Sequence, residues 1–208
     1  MVIKLKTDVS FACITDSFVD ASEALLRKRM EHTSNRKERI NLQRFLSEQG
    51  FDQMKTRLRR LKYEKYANIR YKDHNYLYGL TQDIIVTLDG GKYNVGPYHI
   101  FLPHKAFLVK NLGEIHFVPD RAKMTGARHL HHTAHSSYGD DPNNPLDMSP
   151  HTCWASIGPS LKSALMDGDI ADCFRVLYLF LIRLNPSSPL SRDWSRQIRS
   201  VWGQRVEK

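Results

Sequence analysis

The sequence predicts an α+β fold with a charged helical region first, an antiparallel four-stranded meander next and a helix near the C-terminus. Three observations lead to this prediction: apolar residues at helical spacing in the first third, β-rich runs separated by Gly, Pro and Asn in the middle, and helical spacing again from residue 170. The chain has 208 residues, of which 41% are hydrophobic and 25% charged. Such a chain suits one substantial domain with an appendage, and collagen-like, low-complexity and wholly disordered proteins are excluded.

Residues 15–67 are predicted to form charged amphipathic helices. Three helix-capping signals lie in this range: Asp20 with Glu23, which predicts a helix start near Ala21, Asn35 with Glu38, and Asp52. Gly50 is expected to end the second helix, and Met54, Leu58 and Leu61 recur at helical spacing in the third. We therefore assign residues 1–70 to a charged helical region and residues 71–208 to a second domain.

Short β-rich runs follow at residues 83–88, 93–102 and 113–118. Between the first two runs, Asp89 and two glycines form a hairpin signal, which favours an antiparallel sheet. Pro97 and Pro103 indicate an edge or irregular strand ends. The turn-forming residues 139–150 predict a surface loop.

Helical spacing returns in the C-terminal part of the chain. Ile157, Gly158 and Pro159 mark a helix start, and apolar residues from Ile170 to Leu184 line one face of the C-terminal helix. The Asn-Pro pair at residues 185–186 is expected to end it.

The net charge of +9 is concentrated near the N-terminus, because residues 1–75 hold 17 basic and 10 acidic side chains. Such a surplus attracts nucleic acid or an acidic protein, although a solvated helix face has the same composition. The candidate cluster is Arg57, Arg59, Arg60 and Lys62, with Tyr63 and Tyr66 either stacking on bases or packing between helices.

The sequence also bears on location. Its longest apolar run, residues 176–182, is far shorter than the ~20 residues that cross a bilayer, and the first residues do not resemble a secretory signal. Three cysteines form an odd set without repeated spacing, which favours reduced thiols. We expect a cytoplasmic protein that does not enter the membrane.

Four histidines lie within seven residues, at positions 129, 131, 132 and 135, and His151 and Cys153 follow. A zinc site is one interpretation, but no known ligand spacing is present, and histidines hydrogen-bonded to backbone are the alternative. Cys153 follows the turn-rich loop and precedes a helix start, where a thiol is accessible and His151 favours the thiolate. Its alternative is an inert core cysteine, which we expect of Cys13 and Cys173 because their surroundings are apolar.

Four motifs, in order, resemble the ubiquitin-conjugating enzyme family and its divergent bacterial relatives. Residues 93–103 (YNVGPYHIFLP) are similar to the family's strand pair ending in proline, and His129-Leu-His131 is similar to its His-Pro-Asn segment. Cys153-Trp154 stands at the thioester cysteine, and residues 157–190 resemble the following helix and its Asn-Pro-x-x-Pro-Leu exit. The sequence departs from the family at Leu130, at His131 and in a longer spacer before Cys153.

This resemblance implies a ubiquitin-conjugating-like fold and a transferase that carries a ubiquitin-like protein as a thioester on Cys153. It implies two partners, the ubiquitin-like protein and an adenylating activating enzyme, and the transfer itself requires no cofactor. His131 would donate a hydrogen bond to the oxyanion, with His129 in the same motif. The alternative function is a non-catalytic interaction module with the same fold, because fold does not dictate activity. A structural protein supported by zinc is the third hypothesis.

Overall fold

The structure is a computed structural model that describes residues 13–71, 73–88, 90–110, 112, 115–120, 154, 157–183 and 204–207. Strand β1 (Cys13–Ile14) precedes the helices α1 (Asp16–His32), α2 (Arg36–Leu46) and α3 (Glu48–Arg59). The next strands are β2 (Tyr63–Tyr71), β3 (His74–Thr81), β4 (Ile84–Leu88), β5 (Gly91–Gly96) and β6 (Tyr98–Pro103). Then come α4 (His104–Val109), β7 (His116–Pro119), α5 (Gly158–Asp167), α6 (Ile170–Ile182) and β8 (Gln204–Glu207).

Two sheets organise the strands. The larger has the order β1-β2-β3-β6-β7. The pairs β2–β3, β3–β6 and β6–β7 are antiparallel, and β1 is parallel to β2. The smaller has the order β4-β5-β8, and its β4–β5 hairpin is inserted between β3 and β6. The α+β fold, the antiparallel four-stranded sheet and the helical C-terminal part are therefore confirmed.

The core lies between the larger sheet and the helices, and aromatic rings fill its centre. Ring centroids of Tyr66 lie 5.3 Å from Phe18 and 5.2 Å from Phe174, and the Tyr63 ring meets Phe174 edge-on at 5.5 Å. The Tyr63 hydroxyl donates to the Phe174 carbonyl at 2.7 Å. Because Tyr63 and Tyr66 have no exposed surface, they pack in the core, which confirms the packing alternative and excludes stacking on bases.

The helical region and the sheet share this core. Buried residues of α1, α2 and α3 belong to the same cluster as those of β3, β6, α5 and α6. The domain boundary predicted after residue 70 falls within β2.

Two of the three predicted capping signals act differently in the structure. Asn35 caps α2, since its Oδ1 accepts from the Glu38 N–H at 3.2 Å, as predicted. Helix α1, however, begins at Asp16, and the prediction of a start near Ala21 is wrong. The start is fixed by tertiary contact, because the Thr15 N–H and hydroxyl both donate to the Tyr66 carbonyl in β2.

The boundary between α2 and α3 also differs from the prediction. Ser47 ends α2 and caps α3, its Oγ accepting from the Gly50 N–H at 3.1 Å. Gly50 and Asp52 lie inside α3, so the predicted roles as helix end and cap are wrong. A Cβ at Gly50 would overlap the Arg44 carbonyl oxygen, which shows that this glycine permits the close approach of the two helices.

Strands β2 and β3 occupy residues that the sequence did not identify as strand, and the helix predicted to continue to residue 67 ends at Arg59. A register shift between Tyr63 and Lys65 breaks the alternation of β2. In β3 the residues from Tyr76 to Thr81 are all buried, so no polar alternation is visible. Both departures remove the period-two signal on which a strand prediction depends.

The other strand predictions are confirmed. Gly90 has φ +75° in the turn between β4 and β5, a conformation that glycine adopts readily. Pro97 separates β5 from β6, and Pro103 ends β6. Pro159 lies in the first turn of α5, and the Asp169 carboxylate accepts from the Asp172 N–H at 2.9 Å to cap α6. The predicted loop at 139–150 lies outside the described residues. Helix α6 ends at Ile182 and Arg183 is extended, so the helix end predicted at residues 185–186 comes too late.

Gly79 in β3 lies beneath the aromatic centre of the core. A Cβ at this position would stand 2.8 Å from Phe174 Cε1 and 2.9 Å from Tyr63 Cε1. Because both rings are fully buried, Gly79→Ala is expected to lower the free energy of unfolding by about 1–3 kcal/mol through overpacking, measured by urea denaturation. The control is Gly79→Ala combined with Phe174→Leu, in which the added methyl group should cost less than in the parent. An equal cost in both backgrounds would contradict this explanation.

Candidate functional site

The predicted catalytic residues Cys153, His131, His129 and His151 lie outside the described residues, as do the other candidate zinc ligands, His132 and His135. They belong to residues 121–153, which we call the Cys153 segment. The residues on either side of it, Asp120 and Trp154, are described. The geometry of the candidate site is therefore built from these two positions and their contacts.

Trp154 directly follows Cys153 in the sequence and is held by aromatic packing. Its ring centroid lies 5.9 Å from Phe117 of β7 and 5.4 Å from Phe180 of α6. The Trp154 carbonyl accepts the N–H groups of Ile157 at 2.9 Å and Gly158 at 3.0 Å, at the start of α5. Position 154 is thus fixed between β7 and α6, immediately before a helix N-terminus.

Asp120 precedes the Cys153 segment and is held by two hydrogen bonds. Its N–H donates to the Pro97 carbonyl at 3.1 Å, and its Oδ1 lies 3.0 Å from His99 Nε2. Asp120 directly follows β7, three residues after Phe117. Asp120 is thus held at the end of β7, and Trp154 packs on Phe117 of the same strand.

A hydrogen-bonded chain continues from Asp120 into the sheet. His99 Nδ1 lies 2.8 Å from the Tyr78 hydroxyl, so Tyr78, His99 and Asp120 form a continuous series. With the imidazole proton on Nε2, the Tyr78 hydroxyl donates to Nδ1 and Nε2–H donates to Asp120. Every polar atom of the pair Tyr78–His99 is satisfied by this arrangement.

Burial of Tyr78 limits the chemistry that the Tyr78–His99–Asp120 series can perform. Burial, with the charges of Asp120 and Glu64, raises the pKa of Tyr78 well above its usual value. A phenol that has no exposed surface and stays protonated at neutral pH is neither nucleophile nor general base. The Tyr78–His99–Asp120 chain therefore acts as a positioning device that fixes the end of β7.

The sequence alone does not reveal the Tyr78–His99–Asp120 series. His99 is one residue of a predicted strand, and alternation places it with Tyr78 and Phe101 on the sheet face opposite the helices. Alternation in β6 is therefore the sequence signal that could have identified His99. No local sequence signal identifies Asp120, because it lies 21 residues from its partner His99.

Replacing His99 by leucine is expected to lower the free energy of unfolding by about 1–3 kcal/mol, because the Tyr78 hydroxyl would be left buried without a partner. Adding Tyr78→Phe to this variant should restore part of the loss. Thermal or urea unfolding of both single variants and the double variant measures the coupling. Additive effects of the two substitutions would show that the hydrogen bond does not stabilise the fold.

Two of the three cysteines, Cys13 and Cys173, lie in the described part of the chain. Cys173 lies in α6 with no exposed surface, and burial raises the pKa of its thiol well above the usual value. The prediction that Cys173 is an inert core residue is confirmed. Cys13 belongs to β1.

The candidate basic cluster does not act as one unit. Arg57 pairs with Asp169 at 2.8 Å and lies 3.9 Å from Asp172, so its charge is compensated. Arg59, Arg60 and Lys62 are exposed, and none forms an ion pair with another described residue. Within the described part of the chain, no three His, Cys, Asp or Glu side chains come together in a way that could hold a metal ion.

No protein-family model, curated protein or solved structure matches the chain. Among the described helices, none combines the length and the apolar character needed to cross a membrane.

Proposed function

We propose that this chain is a ubiquitin-conjugating-like enzyme, which accepts a ubiquitin-like protein as a thioester on Cys153 and transfers it to an amine. The observation that supports the proposal is that the two residues flanking the Cys153 segment in the sequence are both anchored, Asp120 by hydrogen bonds to Pro97 and His99 and Trp154 by packing on Phe117 of β7. A reacting thiol needs this kind of rigid support around it.

The order of elements supports the proposal. After helices α1–α3 comes a four-stranded antiparallel sheet, then the residue pair Cys153-Trp154, and then helices α5 and α6. The resemblance to ubiquitin-conjugating enzymes implies the same order. We therefore propose that the sheet and these helices form a ubiquitin-conjugating-like fold.

In the proposed loading step, the Cys153 thiolate attacks the carbonyl carbon of the thioester on the activating enzyme. A new carbon–sulfur bond forms, and the carbon–sulfur bond to the activating enzyme's cysteine breaks. That cysteine leaves as a thiolate and takes the proton that Cys153 lost. His151, two residues before Cys153, would favour the Cys153 thiolate when its imidazole is protonated.

In the proposed transfer step, the acceptor amine attacks the Cys153 thioester. The carbonyl oxygen becomes an oxyanion, which His131 would stabilise by donating a hydrogen bond, with His129 in the same segment. Collapse of this intermediate breaks the bond to Cys153 as the amide forms, and the proton lost by the amine passes to the departing Cys153 thiolate. Adenylation of the modifier is the activating enzyme's task, so this chain needs no nucleotide or metal. A reduced thiol also suits a cytoplasmic location.

The test is adduct formation by the full chain with its cognate activating enzyme, ATP and ubiquitin-like protein. We expect a reductant-sensitive adduct that peptide mass spectrometry locates at Cys153. His131→Ala should slow discharge to an amine more than it slows loading, since the donor acts on the second step. A folded chain that never loads with verified partners would overturn the proposed function.

The alternative function, a non-catalytic interaction module, is favoured by the exposed cations Arg59, Arg60 and Lys62. If these residues bind nucleic acid, affinity should fall steeply with salt, because phosphate contacts release counterions. Binding that is undetectable at low salt would exclude nucleic acid as the ligand of this cluster.

A further inference from the structure

The outward face of helix α2 combines an exposed isoleucine with four cations. Ile40 is 55% exposed. Arg36 and Arg44 stand one turn before and one turn after it, and Lys37 stands three residues before it, so all three border Ile40 on the helix surface. Arg39 is also exposed, and the exposed positions of α2 include no acidic residue.

These cations are not neutralised by described residues. Among the ion pairs of the described chain, none includes Arg36, Lys37, Arg39 or Arg44. Arg39 donates to the Thr33 carbonyl at 2.9 Å, which leaves its charge in place. Two other cations of the N-terminal helices are paired, Arg27 with Glu23 at 2.6 Å and Lys55 with Asp52 at 3.5 Å.

The single carboxylate of α2 does not compensate this face. Glu38 points into the protein, where it binds Arg29 at 2.7 Å and Lys110 at 2.9 Å. Its side chain is 6% exposed, and its charge is already balanced by those two cations. The outer face of α2 therefore presents four positive charges to solvent without an acidic neighbour on the same helix.

We propose that this face of α2 is a docking surface for an acidic protein segment that carries an apolar side chain. Charge complementarity requires an acidic partner. The exposed Ile40 distinguishes protein from nucleic acid: a phosphate backbone needs cations alone, whereas protein interfaces place an apolar contact at the centre of a polar rim. This surface does not depend on Cys153, so its function stands apart from the conjugating activity proposed above.

The probe is a synthetic peptide of repeated Glu-Glu-Leu units, titrated into the full chain at low salt and followed by backbone amide chemical shifts. We expect shifts at α2 and weak binding that is lost at high salt. Ile40→Asp should weaken binding at least about tenfold, which corresponds to ~1.4 kcal/mol. The matched control is Ile85→Asp, at an isoleucine of β4 that is 39% exposed, and it should leave binding unchanged.

Two further probes separate the alternatives. Polyglutamate of equal length should bind more weakly than the leucine-containing peptide, because it lacks the contact to Ile40. A DNA duplex that binds α2 more tightly than the peptide, and is insensitive to Ile40→Ala, would assign the surface to nucleic acid and overturn the proposal. Equal binding of polyglutamate and peptide, or no peptide binding at low salt, would also overturn it.

Discussion

Replacing Arg29 by methionine is expected to lower the free energy of unfolding by about 3–5 kcal/mol, because a buried ion pair would lose one partner. Arg29 in α1 is 3% exposed, and its Nε donates to Glu38 Oε1 of α2 at 2.7 Å. Its two terminal nitrogens donate to the carbonyls of Leu165 and Met166, at the end of α5. The substitution would leave both carbonyls and part of the Glu38 carboxylate without these donors.

The measurement is urea denaturation, and Arg27→Met is the matched control. Arg27 lies in the same helix, but its side chain is 54% exposed and pairs with an exposed Glu23. A surface pair of this kind contributes at most about 1 kcal/mol. A similar loss in both variants would contradict the role that we give to the buried pair.

The same cluster makes stability depend on pH. Burial alone would raise the pKa of Glu38, but hydrogen bonds from Lys110, Thr33 and Arg29 outweigh it and lower the pKa from 4.5 to about 2. The stabilisation is therefore fully present above pH 4.5 and is lost as the pH falls towards 2. Arg29→Met removes one of these donors, so its acid unfolding should begin at higher pH than that of the parent.

Cys153→Ala is expected to abolish the thioester adduct completely, whereas Cys173→Ala should load at the parent rate. The contrast follows from the proposed role of Cys153 and from the burial of Cys173, whose raised thiol pKa disfavours the thiolate. Cys153→Ser should form an ester that resists reductant, because oxygen replaces the attacking sulfur. Gel electrophoresis with and without reductant separates these outcomes.

Circular dichroism must show that Cys153→Ala is folded, and Cys173→Ala tests whether removal of a core thiol alone affects loading. Normal loading of folded Cys153→Ala would refute the assignment of the acceptor thiol. Loss of loading in both variants would trace the defect to folding and contradict the separate roles of the two cysteines.

Local patterns predicted the parts of the fold that depend on neighbouring residues. The Asn35 cap and the hairpin at Gly90 each need only a few adjacent positions. The start of α1 could not be predicted in this way, because Thr15 is fixed by Tyr66, which lies 51 residues away. Long-range contacts of this kind carry no local sequence signal.

The same limit applies to the polar groups. Glu38 fits a capping box in the sequence, yet its carboxylate forms contacts with Arg29 of α1 and with Lys110, which directly follows α4. His99 and Asp120 come together only because β6 and β7 are neighbours in the sheet. The roles of Cys153, His151, His131 and His129 stay predictions from the sequence and its family resemblance.

The contact between Arg29 and the end of α5 joins positions 136 residues apart. At a synthesis rate of about 10 residues per second, roughly 14 s separate the emergence of these two partners from the ribosome. During that interval the apolar faces of the first helices lack the C-terminal helices against which they pack. Completion of this core thus waits until α5 and α6 have been synthesised, and the nascent chain must remain unaggregated until then.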